Sequence, residues 1–132
     1  MFIYKNTIDN TEHIALMKGK VIKGKDILVR MHSLNIFSDL LNAKNDDLKK
    51  AIDIISKSDN GIIVIIRNPK KELLIKKEKP SEKKILKEYG IGAQILIDLG
   101  VNKIKLLTSS SKNIVGIDGF GLEINGTQKI SK

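Results

Sequence analysis

The chain has 132 residues, 41% of them hydrophobic, no cysteine and a formal net charge of +9. A chain of that length supports one sizeable core, so a single domain is expected. The missing cysteines exclude disulfides and thiolate metal sites. No stretch approaches the ~20 apolar residues of a membrane-spanning helix, and Met1-Phe-Ile-Tyr-Lys-Asn-Thr7 has no signal-peptide pattern, so the expectation is a soluble, cytoplasmic protein with no membrane partner.

The charge invites a nucleic-acid reading, but all of the 24 basic residues except Arg30 and Arg67 are lysine, whereas base edges are read chiefly by the forked guanidinium. Aromatic residues make up 4% of the chain and offer little for base stacking. The lysine excess therefore reads as solvated surface, with no nucleic-acid partner.

Phe2-Ile-Tyr-Lys5 suits an edge strand. His13–Lys18 and Asp26–His32 read as strands joined by a lysine-rich turn from Gly19 to Lys25. Leu48, Ala51, Ile52 and Ile55 recur at i, i+3, i+4 and i+7, which predicts an amphipathic helix, started by Asn45, Asp46 and Asp47 and stopped by Asp59-Asn60-Gly61. Ile62–Ile66 is a continuous β-branched run, as in a strand buried on both faces. From Arg67 to Lys79 the chain reads as a turn at Asn68-Pro69, a short exposed strand at Leu73–Ile75 and a basic connector. A helix from Pro80 to Gly100 follows, lined by Ile85, Tyr89, Ala93 and Leu96 with Leu86 and Leu99 beside them. Gly90 and Gly92 within it predict a close packing neighbour. Lys103–Thr108 is the next strand, Ser109-Ser-Ser111 caps a short helix from Lys112 to Asp118, and Leu122–Ile124 is the last strand. The alternation predicts an α/β or α+β fold, a mixed sheet with helices packed on it.

Ligands in such sheets sit beyond the carboxyl ends of strands, and two places qualify. At Val29-Arg-Met-His-Ser33, Arg30 can fork to an anion and Ser33 can donate; the competing reading has Arg30 and His32 as outward residues alternating with apolar Val29 and Met31. At Thr108-Ser-Ser-Ser-Lys112, free helix amides and Lys112 suit a phosphate, with ordinary serine capping as the alternative. The site residues predicted are therefore Arg30, His32, Ser33, Thr108 and Lys112. His13 and His32 are the only histidines, and without carboxylates at ligand spacing beside them no metal site is expected. Nor does Ser33 have a base, because its neighbour His32 should point to the opposite face.

Longer motifs carry a family resemblance. His13-Ile-Ala-Leu-Met-Lys-Gly19, Arg30-Met-His-Ser33, Tyr89-Gly-Ile-Gly-Ala-Gln-Ile-Leu96, Gly100-Val101 and Leu106-Leu-Thr108 together resemble GTP cyclohydrolase II, the zinc enzyme that opens the guanine ring at the start of riboflavin synthesis. The resemblance covers most of the chain and implies a trimmed form of that fold. It also implies where the chemistry has gone. Leu34-Asn35 stand where the family has Glu-Cys, Asn45-Asp46-Asp47 where it has Cys-Asp-Cys-Gly, and Asn68-Pro-Lys-Lys-Glu72 where it has Gln-Glu-Gly-Arg-Gly. Ile85 and Lys87 replace a catalytic Asp-x-Arg, and Asn113 a phosphate-contacting lysine, with Lys112 one residue early.

The family binds zinc through three cysteines, so no zinc and no other cofactor is expected here, and with it goes the activation of water. The chain resembles the degenerate cyclohydrolase-like domain that follows 3,4-dihydroxy-2-butanone 4-phosphate synthase in bifunctional riboflavin proteins. The expectation is that residues 1–132 form one such domain, cut from a longer parent chain with an N-terminal synthase domain as its partner. Its implied role is structure, dimerisation or regulation of that synthase. The alternative is a module that still binds a nucleotide or phosphorylated precursor, and a remote one is a cyclohydrolase that works without zinc. A homodimer is a further implied partner.

Overall fold

The computed structural model describes residues 1–6, 10–22, 24–34, 47–67, 82–108 and 121–130, with the backbone alone for 82–88. Six strands and two helices occur among them: β1 (Phe2–Lys5), β2 (Glu12–Lys18), β3 (Ile27–Ser33), α1 (Asp47–Ser56), β4 (Gly61–Ile66), α2 (Glu82–Asp98), β5 (Lys103–Thr108) and β6 (Glu123–Lys129). The strands form one mixed sheet in the order β1-β2-β4-β3-β5-β6. β1 with β2 and β2 with β4 are antiparallel; β4, β3, β5 and β6 run parallel to one another.

Every residue of β4 is buried, as its unbroken apolar run requires. The reason lies in the connections. α1 carries the chain from β3 to β4, toward the β1 edge, and α2 carries it from β4 back past β3 to β5. Right-handed crossovers in opposite directions put the two helices on opposite faces. Two cores result. Ala93, Ile95 and Leu96 of α2 pack with Val29, Met31, Ile62, Val64, Ile66, Ile104 and Leu106. Ala51 and Ile55 of α1 pack with Ile63, Ile65, Leu107 and Ile130. The register Val29↔Ile62 and Arg30↔Ile63 across β3 and β4, continued by Val29↔Leu106 and Arg30↔Leu107 into β5, assigns each position to one face.

α2 stops at Gly100, whose φ of +88° is a backbone conformation glycine adopts without penalty. The amide of Val101 donates to the Leu96 carbonyl (2.9 Å) and that of Gly100 to Ile97 (3.0 Å). With Val101 and Leu96 in the same core, this is a complete Schellman motif. Gly92 is the close approach that its sequence position predicts: an added Cβ would sit 2.9 Å from Met31 Sδ. α1 begins on Asp47 and carries an exposed Asp53–Lys57 pair at i, i+4 (3.1 Å).

Two expectations change. Ile52 is 43% exposed, and Ile54 packs against the α1 core instead. At ~100° per residue, Ala51 and Ile55 set the centre of the buried stripe and Leu48 lies about 40° from it, while Ile52 and Ile54 lie about 80° to either side, so spacing alone leaves the two equivalent and the packing against the sheet selects Ile54. The last strand starts at Glu123 rather than Leu122 and runs on to Lys129. Asn125-Gly-Thr-Gln-Lys129 has no apolar alternation because, among the described residues, it lies on an edge and is paired with β5 alone. The strand at Leu73–Ile75, the turn at Asn68-Pro69, Lys112 and the helix from Lys112 to Asp118 lie outside the described residues. No helix among the described residues is long and apolar enough to cross a membrane.

Candidate functional site

The chain leaves β3 toward β4 and leaves β5 toward β6, so the connections depart in opposite directions from two neighbouring strands. Their carboxyl ends are the switch point at which open α/β sheets form a crevice. β3 stays paired with β4 as far as Ser33↔Ile66, whereas its pairing with β5 ends at Arg30↔Leu107. Beyond that rung the two strands are no longer laddered, and Arg30 sits at the mouth of the gap.

Arg30 Nη1 donates to the Leu107 carbonyl at 3.3 Å, tying β3 to the strand that is parting from it. Its Nε is buried without a hydrogen-bond partner among the described residues. Burial pushes the guanidinium below its ordinary pKa, while the nearby Asp47 carboxylate and Tyr89 act the other way. A guanidinium starts so far above neutrality that it stays charged. The gap thus holds a half-buried cation with a spare donor, an arrangement that favours an anion.

Arg30 and His32 face the α1 side, in register with Ile63 and Ile65. They are not the outward residues of the competing sequence reading: α1 covers that face, and His32 is 7% exposed. Ser33 and Thr108 belong by alternation to the α2 side, where Ser33 pairs with Ile66 and Thr108 follows Leu106. The sheet therefore separates Ser33 from His32, as expected of strand neighbours, and sets Arg30, in the last β3–β5 pair, beside the end of β5 at Thr108 but on the opposite face. Lys112, the fifth predicted residue, lies outside the described residues.

One residue at this end was missed. β2 runs antiparallel to β4, so His13 at its start lies beside the carboxyl end of β4. It is 3% exposed, and its Nδ1 accepts the Arg67 amide at 3.1 Å, which requires a lone pair on that nitrogen. The available signal was a histidine inside an apolar strand, a position that buries an imidazole and demands a partner for it. His13 shares the α2 face with Ala15 and Met17, while His32 is on the α1 face. The two imidazoles cannot converge on one ion. Among the described residues no three His, Cys, Asp or Glu side chains are grouped to hold a metal.

Comparison with known proteins places these features. The family model for GTP cyclohydrolase II matches residues 1–129. The chain is 36% identical over 138 residues to the monofunctional riboflavin biosynthesis protein RIBA 2, chloroplastic, of Arabidopsis thaliana, covering 93% of this chain and 29% of that protein. It is 32% identical to the probable bifunctional riboflavin biosynthesis protein RIBA 2, chloroplastic, of Oryza sativa subsp. japonica, covering 95% of this chain and 27% of that protein. To the riboflavin biosynthesis protein RibBA of Bacillus cereus it is 33% identical, covering 92% and 36%. The chain spans about a third of the length of these curated relatives.

Proposed function

The chain belongs to the GTP cyclohydrolase II family, and we propose that it is a non-catalytic domain of a riboflavin biosynthesis protein. In this reading it supports the folding, dimerisation or activity of a 3,4-dihydroxy-2-butanone 4-phosphate synthase domain in the same parent chain. The observation that carries the reading is the donor set. The resemblance implies a zinc ion held by three cysteines; this sequence has none, and its two histidines are fixed on opposite faces of the sheet. These residues do not fit the metal. Without it the chain has no group that makes a hydroxide nucleophile near neutral pH, and Ile85 cannot stand in for the acid that the family pattern places there.

What is kept is the packing. The Schellman end of α2, the approach of Gly92 to Met31 and the buried β4 are the features on which the fold depends. A domain that retains its core without its reaction is suited to holding a partner in place. The test is to supply the purified protein with GTP and Zn²⁺, then follow formate release and bound zinc. Neither should exceed background; release of formate would overturn the proposal.

The Arg30 gap supports a second reading, that the domain still binds an anionic nucleotide or phosphorylated precursor without converting it. The buried, spare Nε favours it. Calorimetric titration with GTP and with flavin nucleotides should then show heat that disappears in Arg30→Met, and silence at millimolar ligand would remove this reading while leaving the first intact.

A further inference from the structure

The sequence contains two Asn-Gly pairs, Asn60-Gly61 and Asn125-Gly126. Asparagine followed by glycine is the sequence most open to attack of the next backbone nitrogen on the side-chain amide, because glycine offers no side chain to obstruct ring closure and moves freely in φ and ψ. The fold treats the two pairs in opposite ways.

Asn60 is half-buried. Its Nδ2 donates to the Lys20 carbonyl (3.2 Å), and its own carbonyl accepts the Ser58 hydroxyl (3.0 Å). Gly61 opens the central strand, laddered to Lys18 on one side and Leu28 on the other, and a Cβ there would lie 2.7 Å from Ile55 Cγ2. Its amide cannot reach the Asn60 side chain unless the middle of the sheet opens.

Asn125 is exposed on edge strand β6. The pairing with β5 steps from Ile104↔Ile124 to Lys105↔Gly126, so Asn125 is the extra residue of a bulge. The ladder changes phase there: the amide of Glu123 points inward to Asn102 (2.7 Å) before the bulge, and that of Ile130 to Thr108 (2.8 Å) after it. This phase turns the Gly126 amide inward too, but among the described residues β5 alone holds it, and edges open at a small fraction of the global unfolding free energy. Among the described residues, and apart from its chain neighbours, no atom lies within 4 Å of a Cβ added at Gly126. Asn125 Nδ2 donates to Asp26 Oδ1, joining β6 to the segment that enters β3.

We propose that Asn125 is a site of spontaneous covalent modification to which the fold directs the reaction, while it shields Asn60. The Gly126 nitrogen bonds to Asn125 Cγ as the Cγ–Nδ2 bond breaks. Nδ2 leaves as ammonia with the proton given up by the Gly126 amide, and a five-membered imide remains. Water then opens either imide carbonyl, giving aspartate or isoaspartate, with no change of oxidation state. Either product puts a carboxylate against Asp26 where a hydrogen bond had been, and isoaspartate also inserts a methylene into the backbone of β6. The modified chain loses its hold on the start of this edge strand and becomes a substrate for methyl transfer by an isoaspartate-specific methyltransferase.

The experiment is to incubate the folded chain at mildly alkaline pH, digest it and quantify the amide-to-acid mass change at both positions, alongside a sample unfolded in urea. The folded chain should convert Asn125 at least about tenfold faster than Asn60, an activation difference of ~1.4 kcal/mol or more. The unfolded chain should convert both at similar rates. Gly126→Ala, which meets no described atom beyond its chain neighbours within 4 Å and has an ordinary φ, should suppress conversion at Asn125 and leave isoaspartate methylation at background. Equal rates at the two sites in the folded chain would overturn the proposal. So would a folded chain that converts neither site while the unfolded one converts both, or a Gly126→Ala chain that modifies Asn125 at the original rate.

Discussion

β3 and β4 lie side by side at the centre of the sheet, in register from Leu28↔Gly61 to Ser33↔Ile66, with helices over both faces. β4 fills this environment with glycine, isoleucine and valine alone; β3, in the same environment, places Arg30 and His32 on the α1 side. Burial of a guanidinium and an imidazole costs free energy that an aliphatic pair would not. A polar group kept in such a place is better explained by a task than by packing. β4 is scaffold, and the carboxyl half of β3 is where we propose a site.

The sharpest way to break this comparison is to damage each strand in turn. Ile62→Ala removes a fully buried side chain from the α2 core, and the cavity should lower the stability measured by urea unfolding by about 2–5 kcal/mol. Arg30→Met, of similar bulk and without charge, should change stability by no more than about 1 kcal/mol. The loss of the Leu107 hydrogen bond is offset by relief of the buried Nε. A collapse on Arg30→Met as large as that on Ile62→Ala would make Arg30 scaffold as well.

The comparison extends, with a smaller effect, to the sheet edge. Tyr4 of β1 donates its hydroxyl to Asp98 Oδ2 at the end of α2 (2.8 Å). Burial first, then the Asp98 hydrogen bond and charge, push the phenol from its usual 10.0 up to about 12. The folded state therefore holds this proton more tightly than the unfolded one. Its contribution is fully present below pH 10 and is lost as the pH rises through about 12. Tyr4→Phe should flatten that part of the alkaline unfolding profile and leave the neutral range almost unchanged; an identical alkaline slope in the variant would show that the Tyr4–Asp98 bond does not hold the edge.

Much of this molecule was legible in the chain itself. Period-two spacing, the unbroken run of β4 and helical spacing place β1 to β5 and both helices within a residue or two, because burial leaves a pattern in the order of apolar residues. The unbroken run Ile62–Ile66 announces a strand covered on both sides, and Gly92 and Gly100 mark a close contact and a helix stop. β6 was half-hidden, since Asn125-Gly-Thr-Gln-Lys129 is held by the backbone ladder of β5 and needs no apolar pattern. Ile52 was misassigned because helical spacing defines a stripe but not its centre, which the curvature and neighbours of the sheet decide.

The candidate site divides in the same way. Its residue types, Arg30, His32, Ser33 and Thr108, stand in the sequence, and so does the absence of cysteine. That Arg30 reaches across to Leu107, that His32 is buried beneath α1, and that His13 joins the same end of the sheet from an antiparallel strand were decided by the order β2-β4-β3-β5. Contacts between residues 54 and 77 positions apart, as in Arg67–His13 and Arg30–Leu107, leave no periodic trace in a single chain, because strand order is a property of the whole core and not of any segment.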